Sequence, residues 1–229
     1  TWPMMAIGWV TNLIQRGKAS LDRIDKIIQT LPEIDDRAGG IILEKVKGSV
    51  VFENVGFSYS PEVRDSGSFS VLDRININVD PGKILGIVGP PGSGKSTLLN
   101  LIPRVFDVSQ GSILLDGIDI RKLKVRELRS RISFMPQEPF LFAGTIRENI
   151  TFGNKEINDE ELIRAAEAAS IYETIRSFPD GFETLVGEKG IVLSGGQKQR
   201  VALARTLLKD SSIMILDDPI SQVDIKTGE

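Results

Sequence analysis

Gly89-Pro90-Pro91-Gly92-Ser93-Gly94-Lys95-Ser96-Thr97 follows directly on the apolar run Ile84-Leu85-Gly86-Ile87-Val88. A strand-like run, a glycine-rich loop and a helical pattern after it read as a phosphate cradle. The glycines let successive backbone N–H groups turn inward on an anion, Lys95 adds a point charge for β- and γ-phosphates, and the Ser96 hydroxyl can ligate Mg²⁺. A Gly-rich surface turn before a helix is the bland alternative. The strand before the loop and the helix after it tell against that alternative.

Composition narrows the chemistry. The chain has 229 residues, 41% of them hydrophobic, enough for one domain of ordinary to large size plus an appendage. A net charge of −3, with no long block of Lys and Arg, gives no nucleic-acid footprint. The absence of cysteine removes disulfides, zinc clusters and thiol chemistry and fits a reducing cytosolic setting. The absence of histidine excludes Ser-His-Asp, Cys-His and HExxH arrangements within these residues. Catalysis must therefore rest on carboxylates, lysines, backbone donors or a metal on oxygen ligands.

The first fourteen residues, Thr1 to Ile14, carry no charged side chain and hold both tryptophans. The segment is too short to span a bilayer alone, where about 20 apolar residues are needed, and it lacks the basic start and cleavage site of a secretory signal. A buried core helix is one reading. The other is the end of a membrane helix, favoured by interface-seeking tryptophans and by Arg16 and Lys18 immediately after.

Further on, Leu21, Ile24, Ile28 and Leu31 recur at helical spacing among charges, and Pro32 should end that helix. Residues 33–47 read as a linker around Gly39-Gly40. A β pattern begins at Ser49: Val50 to Val55 with Phe57 to Tyr59, then Val71 to Val79, expected to form a small sheet beside the nucleotide. Ile113 to Leu115 and Ile132 to Met135 read as further strands, with a short helix over 125–131 between them. Residues 145–177 read as predominantly helical, with Asn158 or Asp159 as a cap and Leu162, Ala165, Ala166 and Ala169 on one packing face. A helix is expected from Gly195 through Leu208, then a short apolar strand over 212–216. Alternating strands and helices imply a mostly parallel sheet with its ligand site at the carboxyl ends of the strands.

The apolar strand before Asp217-Asp218 supplies a second requirement of a nucleotide site, a carboxylate that holds Mg²⁺ through water opposite Ser96. Leu193-Ser194-Gly195-Gly196-Gln197 then offers a serine and two glycines at a helix start, a second surface suited to anions. Two phosphate-binding surfaces about a hundred residues apart suggest a head-to-tail nucleotide sandwich, in which this second surface closes on ATP held by another subunit.

With these motifs in order, the chain resembles the ATP-binding cassette family, specifically the nucleotide-binding domain of ABC exporters, over 48–229. The fold this implies is α/β: a P-loop NTPase core of ABC type with a mixed sheet, an antiparallel β subdomain and an α-helical signature subdomain at about 140–200. Residues 1–34 resemble the cytoplasmic end of the last transmembrane helix, and 35–47 a linker. The resemblance assigns Gly89 to Thr97 as Walker A, Gln137 as the Q-loop glutamine, Leu193 to Gln197 as the signature, Asp217 as the Walker B carboxylate and Ser221 to Asp224 as the D-loop. Tyr59 resembles the aromatic that stacks on adenine. The cofactors implied are ATP and Mg²⁺, the metal held by Ser96, Gln137 and Asp217, with Asp218, Gln137 and Lys95 as the catalytic set. Ser194, Gly195, Gly196 and Gln197 would meet the partner's ATP. Residues 139–150 and 186–190 resemble the exporter segments that contact the transmembrane domains.

Two departures qualify the resemblance. Active members carry glutamate directly after the Walker B aspartate to polarise the attacking water; here Asp218 is one methylene shorter. Gln222-Val223 stand where exporters usually have Ala-Leu. An intact signature beside an altered base implies an asymmetric heterodimer of half-transporters, this chain's own site being slow, with a homodimer as the alternative. The chain stops before the family's switch histidine and last strands, so it reads as a fragment of a longer polypeptide. The expected setting is a cell (inner) membrane with this domain on the cytoplasmic side, partnered by its own and a second subunit's transmembrane domains and by no nucleic acid. A soluble ABC ATPase acting on DNA or ribosomes, and a non-hydrolytic ATP clamp, are the competing readings.

Overall fold

The computed structural model describes residues 2–36, 39–43, 45–59, 70–154, 156–187 and 192–219. The chain divides into two compact units, Thr1–Asp35 and Asp36–Glu229.

The first unit is one helix, α1, Trp2–Gln29. The uncharged segment and the amphipathic segment after it are thus a single rod of 28 residues, about 42 Å at 1.5 Å per residue. It stops three residues before Pro32, whose ring disfavours helical backbone at Leu31. No residue of α1 is buried, and Trp2 and Trp9 are among its exposed side chains. Among the described residues no helix is long and apolar enough to cross a membrane.

The second unit opens on β1, Val50–Phe57, and β2, Leu72–Val79. After the phosphate loop come α2, Lys95–Leu101, then β3, Gln110–Leu115, and β4, Ile118–Asp119. These strands form an antiparallel sheet in the order β2-β1-β3-β4, paired at Phe52 with Ile77 on one side and with Ile113 on the other. Val50, Phe52, Val55 and Phe57 of β1 are buried, and Leu98 and Leu101 of α2 join the same core. Asp116, just beyond β3, accepts the backbone N–H groups of Lys47 and Ser49 at 2.7 and 2.9 Å and so fixes the entry to β1.

Helix α3, Val125–Ser130, leads to β5, Ile132–Met135, which pairs in parallel with β8, Ile213–Leu216. Between them lies a helical layer: β6, Gly144–Thr145; α4, Ile146–Thr151; α5, Asp159–Ala168; α6, Tyr172–Arg176; β7, Leu185–Val186; and α7, Gly195–Leu208. Its core is separate from that of the sheet. Ile146, Ile150, Leu162, Ala166, Ile171, Ile175, Leu193, Val201 and Ala204 pack together. Asn158 caps α5 by accepting from Glu161 N at 2.9 Å, and the Glu161 carboxylate accepts from Asn158 N in return. Asn158→Ala is expected to lower unfolding free energy by about 1 kcal/mol in urea titration, and Asn158→Asp to be near neutral.

Two expectations need correction. The strand predicted at 84–88 pairs with no other strand among the described residues: Ile84 is 100% and Val88 95% exposed. An apolar run of this kind signals a strand buried on both faces, which requires a partner along its edge as well as cover. The described pairings of β8 are all with β5, and 83–90 forms no ladder with either strand. The sheet is also not mostly parallel. The segment around 113–115 joins β1 in antiparallel register, leaving β5 and β8 as the parallel pair.

Candidate functional site

The phosphate loop is shaped by backbone conformations that favour glycine. Gly92 and Gly94 have φ of 78° and 89°, and a Cβ on Gly94 would lie 3.0 Å from Leu72 Cδ2 and 3.2 Å from the Val71 carbonyl. The loop therefore sits closely on the start of β2 and feeds α2 without a side-chain cap. Lys95 folds back over the loop, its ammonium donating to the carbonyls of Gly89 and Pro90 at 2.9 and 3.0 Å. Two of its three donors are thus engaged at the loop rim, which holds the positive charge where the loop turns.

Tyr59 lies two residues beyond the end of β1. Its hydroxyl and that of Thr97 are hydrogen-bonded at 2.8 Å. Its ring stands perpendicular to Phe57 at 4.8 Å and to Phe106 at 5.3 Å between centroids. These contacts fix the ring while leaving the residue 54% exposed.

From the other side come the ends of the parallel pair. Asp217 directly follows β8, is buried, and donates its N–H to Met135 O at 2.9 Å. Asp218, the next residue, is exposed and left-handed at φ 52°. Gln137 follows β5 by two residues, on the same carboxyl edge. One cleft of about 1170 Å³ is lined by Tyr59, Gly89, Pro91 through Thr97, Gln137, Asp217 and Asp218. That exceeds the 300–1,000 Å³ usual for small-molecule sites; its floor is apolar, with Val50, Phe52, Ile77, Ile213 and Ile215.

The residues fit a nucleotide with a divalent cation in their donor types: an aromatic ring, a glycine loop with an ammonium, a serine hydroxyl and two carboxylates, all on one cleft. No group of three or more His, Cys, Asp or Glu side chains among the described residues is placed to hold a metal ion. A cation here would rest on Ser96, Gln137 and Asp217, with the rest of its oxygen shell from phosphate and water.

The signature residues stand elsewhere. Ser194, Gly195, Gly196 and Gln197 form the start of α7 and do not line this cleft. Ser194 Oγ accepts from Gln197 N at 3.3 Å, and Gln197 Oε1 accepts from Ser194 N at 2.8 Å, a reciprocal cap that fixes the helix start. The D-loop residues lie outside the described residues.

Two arrangements were missed from the sequence. The Tyr59–Thr97 bond joins residues 38 apart, and nothing in either local pattern signals it. Arg205, in the last turn of α7, reaches Asn149 and Phe140 on the segment after Gln137. Burial of its guanidinium holds its pKa below the ordinary arginine value. A basic residue near a helix end was the one available signal, and it predicts a solvated charge. The segment 139–150 is joined by the β6–β7 pair to Leu185-Val186, with Thr145 opposite Leu185 and Gly144 opposite Val186; of the segment read at 186–190, residues 188–190 lie outside the described residues.

Comparison with known proteins places these features in one family. The family described as ABC transporter matches residues 72–221. An ATP-dependent lipid A-core flippase of Desulfotalea psychrophila is 43% identical over 98% of this chain and 38% of its own length. The multidrug resistance-like ATP-binding protein MdlA of Escherichia coli is 41% identical over 99% of this chain and 37% of its own. The chain therefore spans about two-fifths of the length of these relatives. A solved bacterial Atm1-family ABC exporter with ATP bound has a TM-score of 0.83 at 36% identity, covering 99% of this chain and 39% of that one. The phosphate loop, the strand-end carboxylates, the capped signature helix and these matches make this chain a member of the ABC transporter family.

Proposed function

We propose that this chain is the nucleotide-binding domain of an ABC exporter, binding MgATP and hydrolysing it to drive export across a membrane. The observation that carries this reading is the convergence of Tyr59, the phosphate loop, Gln137 and Asp217-Asp218 on one cleft. Tyr59 presents a fixed, half-exposed ring for adenine, and Lys95 with the loop N–H groups takes the phosphates. Ser96, Gln137 and Asp217 would hold Mg²⁺, which when bound neutralises phosphate charge. Asp218 supplies the carboxylate that accepts a proton from attacking water, and Gln137 lines the same cleft.

Ser194 to Gln197, outside this cleft, meets the nucleotide of a second domain in a head-to-tail pair. Because the signature is intact while Asp218 replaces glutamate, the pair is a heterodimer of half-transporters in which this chain's own site turns over slowly. The exposed Phe140, Phe142 and Phe152 face the transmembrane part, and α1 is the cytoplasmic end of its last helix. The domain lies on the cytoplasmic side of the membrane. The names of the relatives, a lipid A-core flippase and a multidrug resistance-like protein, support export.

Binding tests the site directly. Base stacking on an aromatic contributes about 1–3 kcal/mol, so Tyr59→Ala is expected to weaken ATP binding about tenfold by calorimetry while inorganic triphosphate binding stays at the parent value. Equal loss for both ligands would remove Tyr59 from the adenine site. In proteoliposomes, ATP hydrolysis without any ATP-dependent movement of solute or lipid would sink the exporter reading.

A further inference from the structure

Three exposed aromatic residues, Phe140, Phe142 and Phe152, are assembled around one guanidinium. Arg205 donates through Nε to Asn149 O at 2.7 Å, through Nη1 to Phe140 O at 3.1 Å and through Nη2 to Asn149 Oδ1 at 3.1 Å. The same group lies 5.8 Å from the Phe142 ring centre and 5.5 Å from that of Phe152. Asn149 is buried and closes the arrangement. It accepts from Phe142 N and donates to the carbonyls of Phe142 and Thr145, each at 2.9 Å. The rings meet edge to face, Phe142 with Phe140 at 5.1 Å and with Phe152 at 5.4 Å. Phe152 is left-handed at φ 52°, a conformation unfavourable for an aromatic residue, yet it remains 66% exposed.

The Arg205 bonds start from α7, whose first turn carries the Ser194–Gln197 cap. Its 14 residues span about 21 Å. A helix of this length between two fixed ends behaves as a rigid link. We infer that Arg205 is a positioning residue that fastens the Phe140/Phe142/Phe152 surface to the signature helix, so that displacement of the helix on nucleotide closure carries the surface with it. This rests on the exporter reading above, in which that surface meets the transmembrane part. Arginine chemistry suits such a link. Its planar fork satisfies two carbonyls and a side-chain oxygen while its face lies against rings, whereas lysine offers only a point charge.

The test uses the complete membrane protein in lipid nanodiscs, as parent, Arg205→Lys and Arg205→Met. Turnover is expressed per ATP-binding site so that loss of folded protein does not enter. For Arg205→Lys, KM for ATP is expected within twofold of the parent and kcat to fall about tenfold. Backbone hydrogen exchange is expected to quicken in 139–153 and to stay at the parent level in 89–102. Unchanged kcat with quickened exchange in 139–153 would overturn the proposal, since the surface would be loosened without consequence. Unchanged exchange there would equally overturn it, as would KM and kcat falling together with faster exchange throughout, the mark of a general folding role. Arg205→Met is expected to follow Arg205→Lys; if it does not fold, the lysine variant decides. A parent protein that hydrolyses no ATP would instead count against the exporter reading.

Discussion

Asp218→Glu is expected to raise steady-state ATP turnover on the order of 10²-fold when the protein is assayed without a partner subunit. A positioned general base contributes about 10² to 10⁴ in rate, and aspartate is shorter by one methylene than the glutamate that this variant introduces. The local backbone adds a reason for aspartate at this position. Asp218 is left-handed at φ 52°, a region that Asp and Asn enter more readily because a short polar side chain can bond locally. Glutamate there is expected to cost up to about 1 kcal/mol of stability, so the gain in turnover should come with a slightly lower melting temperature. ATP affinity should be unchanged, because in the proposed function the carboxylate acts on water and not on the nucleotide. If the parent already hydrolyses ATP as fast as the glutamate variant, Asp218 suffices as it stands. A symmetric homodimer then becomes the better arrangement, and the proposal of a slow site in a heterodimer fails.

The layout of the candidate site was legible wherever its residues sit in a contiguous motif. Gly89, Pro91 to Thr97, Gln137 and Asp217-Asp218 gather on one cleft, although the run before the loop forms no ladder among the described residues. The helix start read at Ser194-Gly195-Gly196 is where α7 begins. Caps and loops depend on local geometry, which sequence records directly. Pairing does not. Ile84 to Val88 states a demand for burial without naming a neighbour, and the same apolar composition serves β8, which is paired, and 84–88, which is not paired among the described residues. Arg205 shows the converse: a charged side chain at a helix end gives no sign of the Asn149 and Phe140 carbonyls that it meets. Its partners lie 56 and 65 residues away, beyond the reach of any periodicity.

The sheet that carries Tyr59 has one position where almost any side chain should be disruptive. In β1 the register slips between Glu53 and Gly56 opposite β3, a bulge in which Asn54 is itself left-handed at φ 49°. The bulge pushes two carbonyls onto β3, so that a Cβ on Gly111 would sit 2.3 Å from Glu53 O and 2.4 Å from Asn54 O. Both obstacles are backbone, so neither can rotate away, and Gly111 also has φ of 76°. Gly111→Ala therefore combines a left-handed alanine, about 1 kcal/mol, with a displaced bulge, and a total of roughly 3 kcal/mol or more is expected. At about 2–4 °C per kcal/mol for a domain of this size, melting should fall by roughly 6–12 °C. Gly117→Ala is the control. It has a similar φ of 81°, but nothing lies within 4 Å of its Cβ, so only the conformational cost of about 1 kcal/mol should appear. Because Tyr59 follows the bulged strand by two residues, Gly111→Ala should also weaken ATP binding in the fraction that remains folded, and Gly117→Ala should not. Equal melting shifts for the two variants would mean that the bulge yields to a methyl group, and that the strand leading to Tyr59 is held by its pairing with β2 and not by close contact with β3.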